Sequence, residues 1–341
     1  MAVWMVRAGR HGKHESLVLK KGIVTIGWSE ISDLSKVKSR EALKNLLIKS
    51  IPNRKPNAYI NWTGQIWSFK ENIKINDTVI LPLKTRSAIA IGKVKGGYQY
   101  RQDLPEGARH TRPVDWIRTD IPRSDLQQDL LYSLGALMTV CHIERNNAEA
   151  RIKTVMKGKK DPGYPEDMQK DVKQDVDEPI LFPDIEQYSQ DQIRTHIETK
   201  FKGHDLARLV TALLNAQGYH TQMSPPGPDG GVDIIAGKGH MGFDNPRLIV
   251  QVKSGSTPVD VNTMRALQGV MKHFGAEQGL LVSWSGFRDS VYKEARTLFF
   301  EVRFWDADNL IQALLDDYDK LPKEIQAELP LKRIWILVQD E

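Results

Sequence analysis

Short apolar runs punctuated by Gly, Asn and Pro fill the first hundred residues. Residues 4–8, 22–28, 78–82 and 87–94 are brief, rich in β-branched side chains and bounded by turn formers, so they read as strands. Residues 39–50 differ, because Leu43, Leu46 and Leu47 recur at helical spacing and predict an amphipathic helix. Strands with a helix or two imply a small β-barrel over residues 1–122. Residues 124–155 read as helix, N-capped by Ser124 or Asp125, with Cys141 and His142 on it as structural residues. From Lys157 onward charge, Gly and Pro dominate and periodicity is lost, so 123–188 reads as a helical segment and flexible linker.

Beyond residue 189 helix and strand patterns alternate. A helix is expected over 189–217 with a break near Gly203, then a hairpin of strands 232–236 and 247–253. A helix over 260–274, a strand over 279–284 and a helix over 290–300 follow. An edge strand over 302–305 precedes a helix capped by Asp308 and running through Leu315. This predicts a mixed α/β sheet flanked by helices over 189–341. The expected class is therefore α+β with two domains.

Charge sharpens the division. Residues 1–100 hold 18 Lys or Arg against 6 Asp or Glu, and the remainder holds 30 against 37. A basic front half fused to a mildly acidic remainder suggests that the front grips a polyanion. The single cysteine excludes a disulfide framework and a cysteine-rich zinc site. The N-terminus lacks a signal peptide's long apolar region, and the longest apolar run, near 130–140, is too short to span a bilayer. Cytoplasmic residence without membrane contact is the expectation. Neither a nucleophile elbow nor a Walker-type phosphate loop is present.

The candidate chemistry lies in the hairpin. Side chains alternate along a strand, so Gln251 and Lys253 share a face while Val250 and Val252 point into the core. Asp233 comes opposite them if the two segments pair. A carboxylate and an amide oxygen that hold a divalent cation, beside an ammonium that orients water and offsets charge, suit phosphodiester hydrolysis. Asp-Gly-Gly is also a common turn, and a charged pair on a hairpin is usually a solvated face. Spacing alone leaves both readings open.

The block from Gly227 through Gly-Gly-Val-Asp-Ile-Ile-Ala to Val-Gln-Val-Lys-Ser resembles the Mrr-type branch of the PD-(D/E)XK nuclease superfamily, in which glutamine often replaces the second acid. The resemblance extends over about residues 190–315, through the helix around 206–219 and the strand in 278–287. It implies a restriction-endonuclease-like fold, Mg²⁺ (or Mn²⁺) as cofactor, Asp233 and Gln251 as metal ligands and Lys253 as the water-activating residue. An active-site contact from Gln268 is a further implication; a surface glutamine is the alternative. One position departs from the family: its opening-helix glutamate aligns with Ala207, and Asp205 or His204 lies within a turn as a substitute. Asp233 is then the one assured anionic ligand, which predicts modest metal affinity until DNA phosphate joins. Ser283 and Ser285 end a strand near the same edge, where they either bond phosphate or cap a turn.

In the front half, Trp-Met-Val-Arg-Ala-Gly, Gly-Ile-Val-Thr-Ile-Gly-Trp, Gly-Gln-Ile-Trp-Ser-Phe and Gly-Lys-Val-Lys-Gly-Gly-Tyr-Gln-Tyr together resemble EVE-type domains of the PUA-like fold. Such domains read a flipped or unpaired modified base in an aromatic pocket, where stacking supplies affinity. Trp28 and Tyr98 are the candidate base contacts, Trp4 and Trp67 core residues. Arg7, Arg10 and Lys13 are candidate phosphate contacts. Together these readings describe a modification-dependent DNA endonuclease of the bacterial restriction type acting on DNA that carries modified bases, in which double-strand cleavage implies a homodimer or paired binding. An RNA- or structure-directed nuclease, and a modified-nucleic-acid-binding protein with an inactive nuclease fold, are the alternatives.

Overall fold

The computed structural model describes residues 2–9, 12–164, 184–225, 227 and 231–335. The chain divides into two compact units at Asp191/Gln192.

The first unit is built on seven strands: β1 (Val3–Val6), β2 (Ile23–Ile26), β3 (Thr78–Pro82), β4 (Ala88–Val94), β5 (Gln99–Tyr100), β6 (His110–Pro122) and β7 (Val140–His142). Their order is β2-β6-β4-β3-β1-β7, with β5 paired to β6. The path has two ends, so the described strands form an open sheet and not the expected barrel. Those ends are β2 and β7, and β7, only three residues long, pairs with β1 alone among the described strands.

Among the described residues this unit has the α-helices α1 (Glu15–Lys21), α2 (Arg40–Ser50), α3 (Pro56–Trp67), α4 (Gln128–Leu134) and α5 (Ala148–Met156). Ser39 caps α2 by accepting a hydrogen bond from the Ala42 N–H. A π-helical turn, Ser68–Asn72, extends α3, and buried Arg112 donates to the carbonyls of Phe69 and Lys70 within it. Leu43, Leu47, Ile66 and Phe69 pack on one side of the sheet against Trp4, Val6, Ile26 and Val79. On the other side Leu130, Leu134, Ile152 and Val155 cover Met5, Ile80, Ile89 and Ile91.

Those last helices correct the reading of 124–155 as one helix. Gly135 ends α4, Cys141 and His142 lie on β7, and Asn146 and Asn147 take left-handed backbone (φ 58° and 53°) before α5 starts. The linker reading is corrected in part as well. Asp161 and Asp184 are buried, the former against Arg151 and the latter against Lys84. Residues 165–183 lie outside the described residues.

The second unit contains α6 (Ile185–Lys200, whose first residues belong to the first unit), α7 (His204–Ala216), β8 (His220–Met223), β9 (Ile234–Lys238) and β10 (Asp244–Lys253). It continues with α8 (Val261–Phe274), β11 (Gln278–Ser283), α9 (Asp289–Ala295), β12 (Val302–Trp305), α10 (Ala307–Asp317) and α11 (Lys323–Glu328). The sheet order is β12-β11-β10-β9-β8, antiparallel through β8, β9 and β10 and parallel from β10 to β12. Strand alternation sends Ile234, Leu248, Val250 and Val252 into a core with α7 and α10. Ile249 and Leu281 enter a second core with Met264, Leu267 and Met271 of α8. The result is the expected mixed sheet between helical layers. Asp306, not Asp308, caps α10, because Asn309 completes a capping box with it.

Candidate active site

Pairing of Val250 with Ile234, continued by one residue, places Asp233 opposite Gln251. The Asp233 N–H donates to the Val250 carbonyl at 3.0 Å, and its Oδ2 accepts from the Val252 N–H at 2.8 Å. The carboxylate thus takes over a backbone acceptor's role at the strand junction, which fixes its position on the sheet. Gln251 and Lys253 share the parity of Ile249, so all three side chains emerge on the face covered by α8. Lys253, the last residue of β10, is exposed.

Gln251 is 6% exposed, and its Oε1 has no hydrogen-bond partner among the described residues. A buried orphan acceptor beside a carboxylate costs about 1–3 kcal/mol if nothing satisfies it. A divalent cation or its water does so, and the donor set therefore fits a hard metal. No group of three His, Cys, Asp or Glu side chains converges among the described residues.

Gly231 shapes the floor. Its φ is +88°, and a Cβ there would come within 3.3 Å of Gln251 Nε2. Gly231→Ala is therefore strained in backbone and pushes the amide aside. In the nuclease reading proposed below, cleavage falls roughly tenfold, since sub-ångström misplacement is costly at a reacting centre. Single-turnover rates beside a thermal melt check this, and an unchanged rate would show that the amide position is immaterial.

The other candidates in this unit are placed differently. Gln268 is half-buried on α8, on the helix that covers the same face, and its amide makes no hydrogen bond to described residues. Asp205 lies in the first turn of α7, whose buried side packs on the opposite face of the sheet. Its carboxylate pairs with Arg208 at 3.2 Å, and Arg208 also holds Glu328. His204 opens the same helix. Ser283 and Ser285 donate to the loop carbonyls of Gly286 and Thr257, both at 2.7 Å, so the turn reading describes them.

In the first unit Trp28 follows β2, half-buried against the core, with φ +57°. A bulky side chain in the left-handed region costs about 1–3 kcal/mol and marks a constrained position. Tyr98 packs on the same core. Its Oη accepts from the Leu34 N–H at 3.2 Å and shares a 2.8 Å hydrogen bond with His110 Nδ1. Burial pushes the Tyr98 phenol up, and burial pushes the His110 imidazole down, against its hydrogen bonds to the Ile31 and Trp28 backbone. Both groups are held neutral. His110, absent from the sequence reading, completes this cluster; its signal was only a histidine on an apolar strand.

Arg7 is not available as a phosphate contact. It donates to the Ala136 carbonyl at 2.7 Å, lies 3.6 Å from Asp184 and is largely buried. Lys13 is exposed. Arg10 lies outside the described residues.

The His110 shift has a stability consequence. A folded imidazole held below its ordinary value of 6.5 favours folding fully above that pH. That contribution is lost as pH falls through 6.5 toward the lowered folded value. His14, lowered by burial and by Lys13, adds in the same direction. Melting followed by tryptophan fluorescence should fall from pH 7.5 to 5.5, and less steeply in His110→Gln.

Compared with known proteins, residues 198–314 match the Mrr catalytic family, described as a restriction endonuclease. Residues 4–140 match a domain of unknown function, DUF8426. The second unit thus carries a restriction endonuclease domain. No curated protein matches. Among solved structures, the DNA modification-dependent restriction endonuclease AspBHI is 15% identical, covering 91% of this chain and 87% of its own, at TM-score 0.34. The MspJI restriction endonuclease in complex with a 27-mer oligonucleotide is 11% identical, covering 95% and 69%, at TM-score 0.32. A protein of unknown function, AF1548, is 16% identical, covering 36% and 77%, at TM-score 0.27. No helix among the described residues is long and apolar enough to cross a membrane.

Proposed function

We propose that this chain is a metal-dependent DNA endonuclease whose first unit selects modified DNA and whose second unit cuts it. The observation that carries the reading is the shared face of Asp233, Gln251 and Lys253, within the stretch that matches a restriction endonuclease family. Asp233 and Gln251 are the residues to hold Mg²⁺ or Mn²⁺, which when bound supplies Lewis-acid polarisation of the scissile phosphate. Asp233 is positioned by the Val252 N–H, and Gln251, opposite it in the strand pairing, has a buried oxygen without a hydrogen-bond partner among the described residues. Lys253 orients the attacking water and offsets charge that accumulates on the phosphate oxygens.

Support for the reader is the excess of 18 basic over 6 acidic residues in the first hundred, with Trp28 strained beside Tyr98 and His110. In this reading Trp28 is the stacking wall for an extruded base. One nuclease unit cuts one strand, so double-strand cleavage requires two chains on the DNA. A single monomer sedimenting with cleaved duplex would refute that requirement. The rival reading is a binding protein with an inactive nuclease fold; its support is that Ala207 stands where the resembled family places a glutamate, and that no group of three His, Cys, Asp or Glu side chains converges among the described residues.

Purified protein with Mg²⁺ is to be tested on unmodified, cytosine-modified and adenine-modified DNA. Cutting confined to one modified class supports both modules. Trp28→Ala is then expected to reduce discrimination roughly 5- to 150-fold, for a stacking loss of about 1–3 kcal/mol. Equal cutting of all substrates removes the reader, and selective binding without cutting favours the rival.

A further inference from the structure

Some cationic side chains of the second unit are ion-paired, while others, Lys272 and Lys293 at a distance from the candidate site among them, are exposed without a pair to described residues. Arg194, Arg208, Arg247 and Arg265 each close on a carboxylate: Asp308, Glu328, Glu277 and Glu294 respectively. Lys202, Lys253 and Arg288 are exposed and form no ion pair with described residues. All three stand at the carboxyl ends of β10 and β11 or in the turn bonded to them. An exposed cation without a partner loses no existing pair when an outside anion arrives, so it is ready to take a phosphate.

These side chains are held on a laced rim. The Gly203 N–H, next to Lys202, donates to Ser254 Oγ at 3.2 Å, one residue past Lys253. Ser285 Oγ donates to the Thr257 carbonyl at 2.7 Å. The Val259 N–H donates to the Gly286 carbonyl, and the Arg288 N–H to the Val259 carbonyl. Three loops, 201–203, 254–259 and 284–288, are thereby tied into one edge around the end of β10. Lys202 precedes α7, which packs on one face of the sheet, while Arg288 precedes α9, which packs on the other. Asp260, the carboxylate that senses Arg288, is turned instead to the Thr263 N–H at 3.1 Å and caps α8.

We propose that this rim is a backbone clamp, in which Lys202 and Arg288 bind the DNA phosphates flanking the one presented to Lys253. The inference rests on the nuclease reading for its choice of polyanion. It explains why the two serines read as possible phosphate ligands serve instead as loop braces: they fix the rim, and the cations make the contacts.

The test is binding of a fluorescent DNA duplex to the full chain in EDTA, across 50–300 mM NaCl. Lys202→Ala and Arg288→Ala are each expected to reduce the slope of log K against log salt by about 0.9, and the double variant by about twice that. Lys272→Ala is the control. Lys272 is exposed in the last turn of α8, at the far end of the sheet, and its removal is expected to leave the slope unchanged. Unchanged slopes in both rim variants, or an equal drop in the control, overturn the clamp. The same variants are assayed for cleavage in Mg²⁺. Cutting with unaltered slopes defeats the clamp and leaves the nuclease, whereas lowered slopes in a chain that never cuts retain the clamp and defeat the nuclease.

Discussion

Lys253→Ala is expected to lower the cleavage rate by a factor on the order of 10²–10³, the usual cost of removing one preorganised charge-stabilising group. The residue is exposed at the end of β10, so its removal leaves no cavity and no unpaired buried partner. Thermal stability should stay within a degree or two of the parent. Asp233→Asn is the companion. Asparagine retains an oxygen for the Val252 N–H, so the strand junction survives while the negative charge is lost. It should abolish most cleavage with the fold intact. Single-turnover cleavage and a thermal melt on both variants decide the matter. Parental rates in Lys253→Ala would place catalysis elsewhere in the chain.

The parity argument that singles out Asp233, Gln251 and Lys253 needs only a hairpin and its register, and both follow from local sequence. The same holds for β10, β12 and α8, whose apolar patterns are strong and whose ends carry Asp260 and Gly275. Other elements depend on distant partners. β7 is three residues long and exists because β1 offers it an edge, so the apolar run before it reads equally well as helix. Helix α3 contains Asn57, Asn61, Thr63 and Gly64, a weak set of helix formers, and is held by burial of Tyr59 and Ile66. Arg7 meets carbonyls at Leu134 and Ala136, more than a hundred residues away, which local sequence cannot announce. In the site itself, the Val252 N–H on Asp233 and the close approach of Gly231 to Gln251 are matters of three-dimensional contact. The residue types of the candidate site are legible in the sequence; what positions them is not.

Arg151→Met is expected to lower the stability of the first unit by about 3–5 kcal/mol, the cost of stranding a buried charge. Arg151 is almost wholly buried, donating to Asp161 at 2.8 and 2.7 Å and to Asp129 at 2.5 and 2.8 Å. Asp161 has no exposed side-chain surface and also accepts from the N–H groups of Gln127 and Gly163. This knot joins α4, α5 and the segment after α5, so its loss loosens one helical cover of the sheet. The penalty depends on pH with a definite sign. Burial alone raises the Asp161 carboxyl, but Arg151 and the two N–H groups outweigh it and hold it below the ordinary carboxylate value. The parent therefore loses this stabilisation as pH falls through that lowered value, whereas in the variant burial favours the protonated acid. The difference between the two is largest near neutrality and shrinks below about pH 4. Urea unfolding followed by tryptophan fluorescence reads mainly the first unit, which holds Trp4, Trp28, Trp62, Trp67 and Trp116. Arg151→Met with Asp161→Asn removes the stranded charge and should recover most of the loss. A single-variant cost under about 1 kcal/mol, or no recovery in the pair, would mean that the helices are held by apolar packing alone.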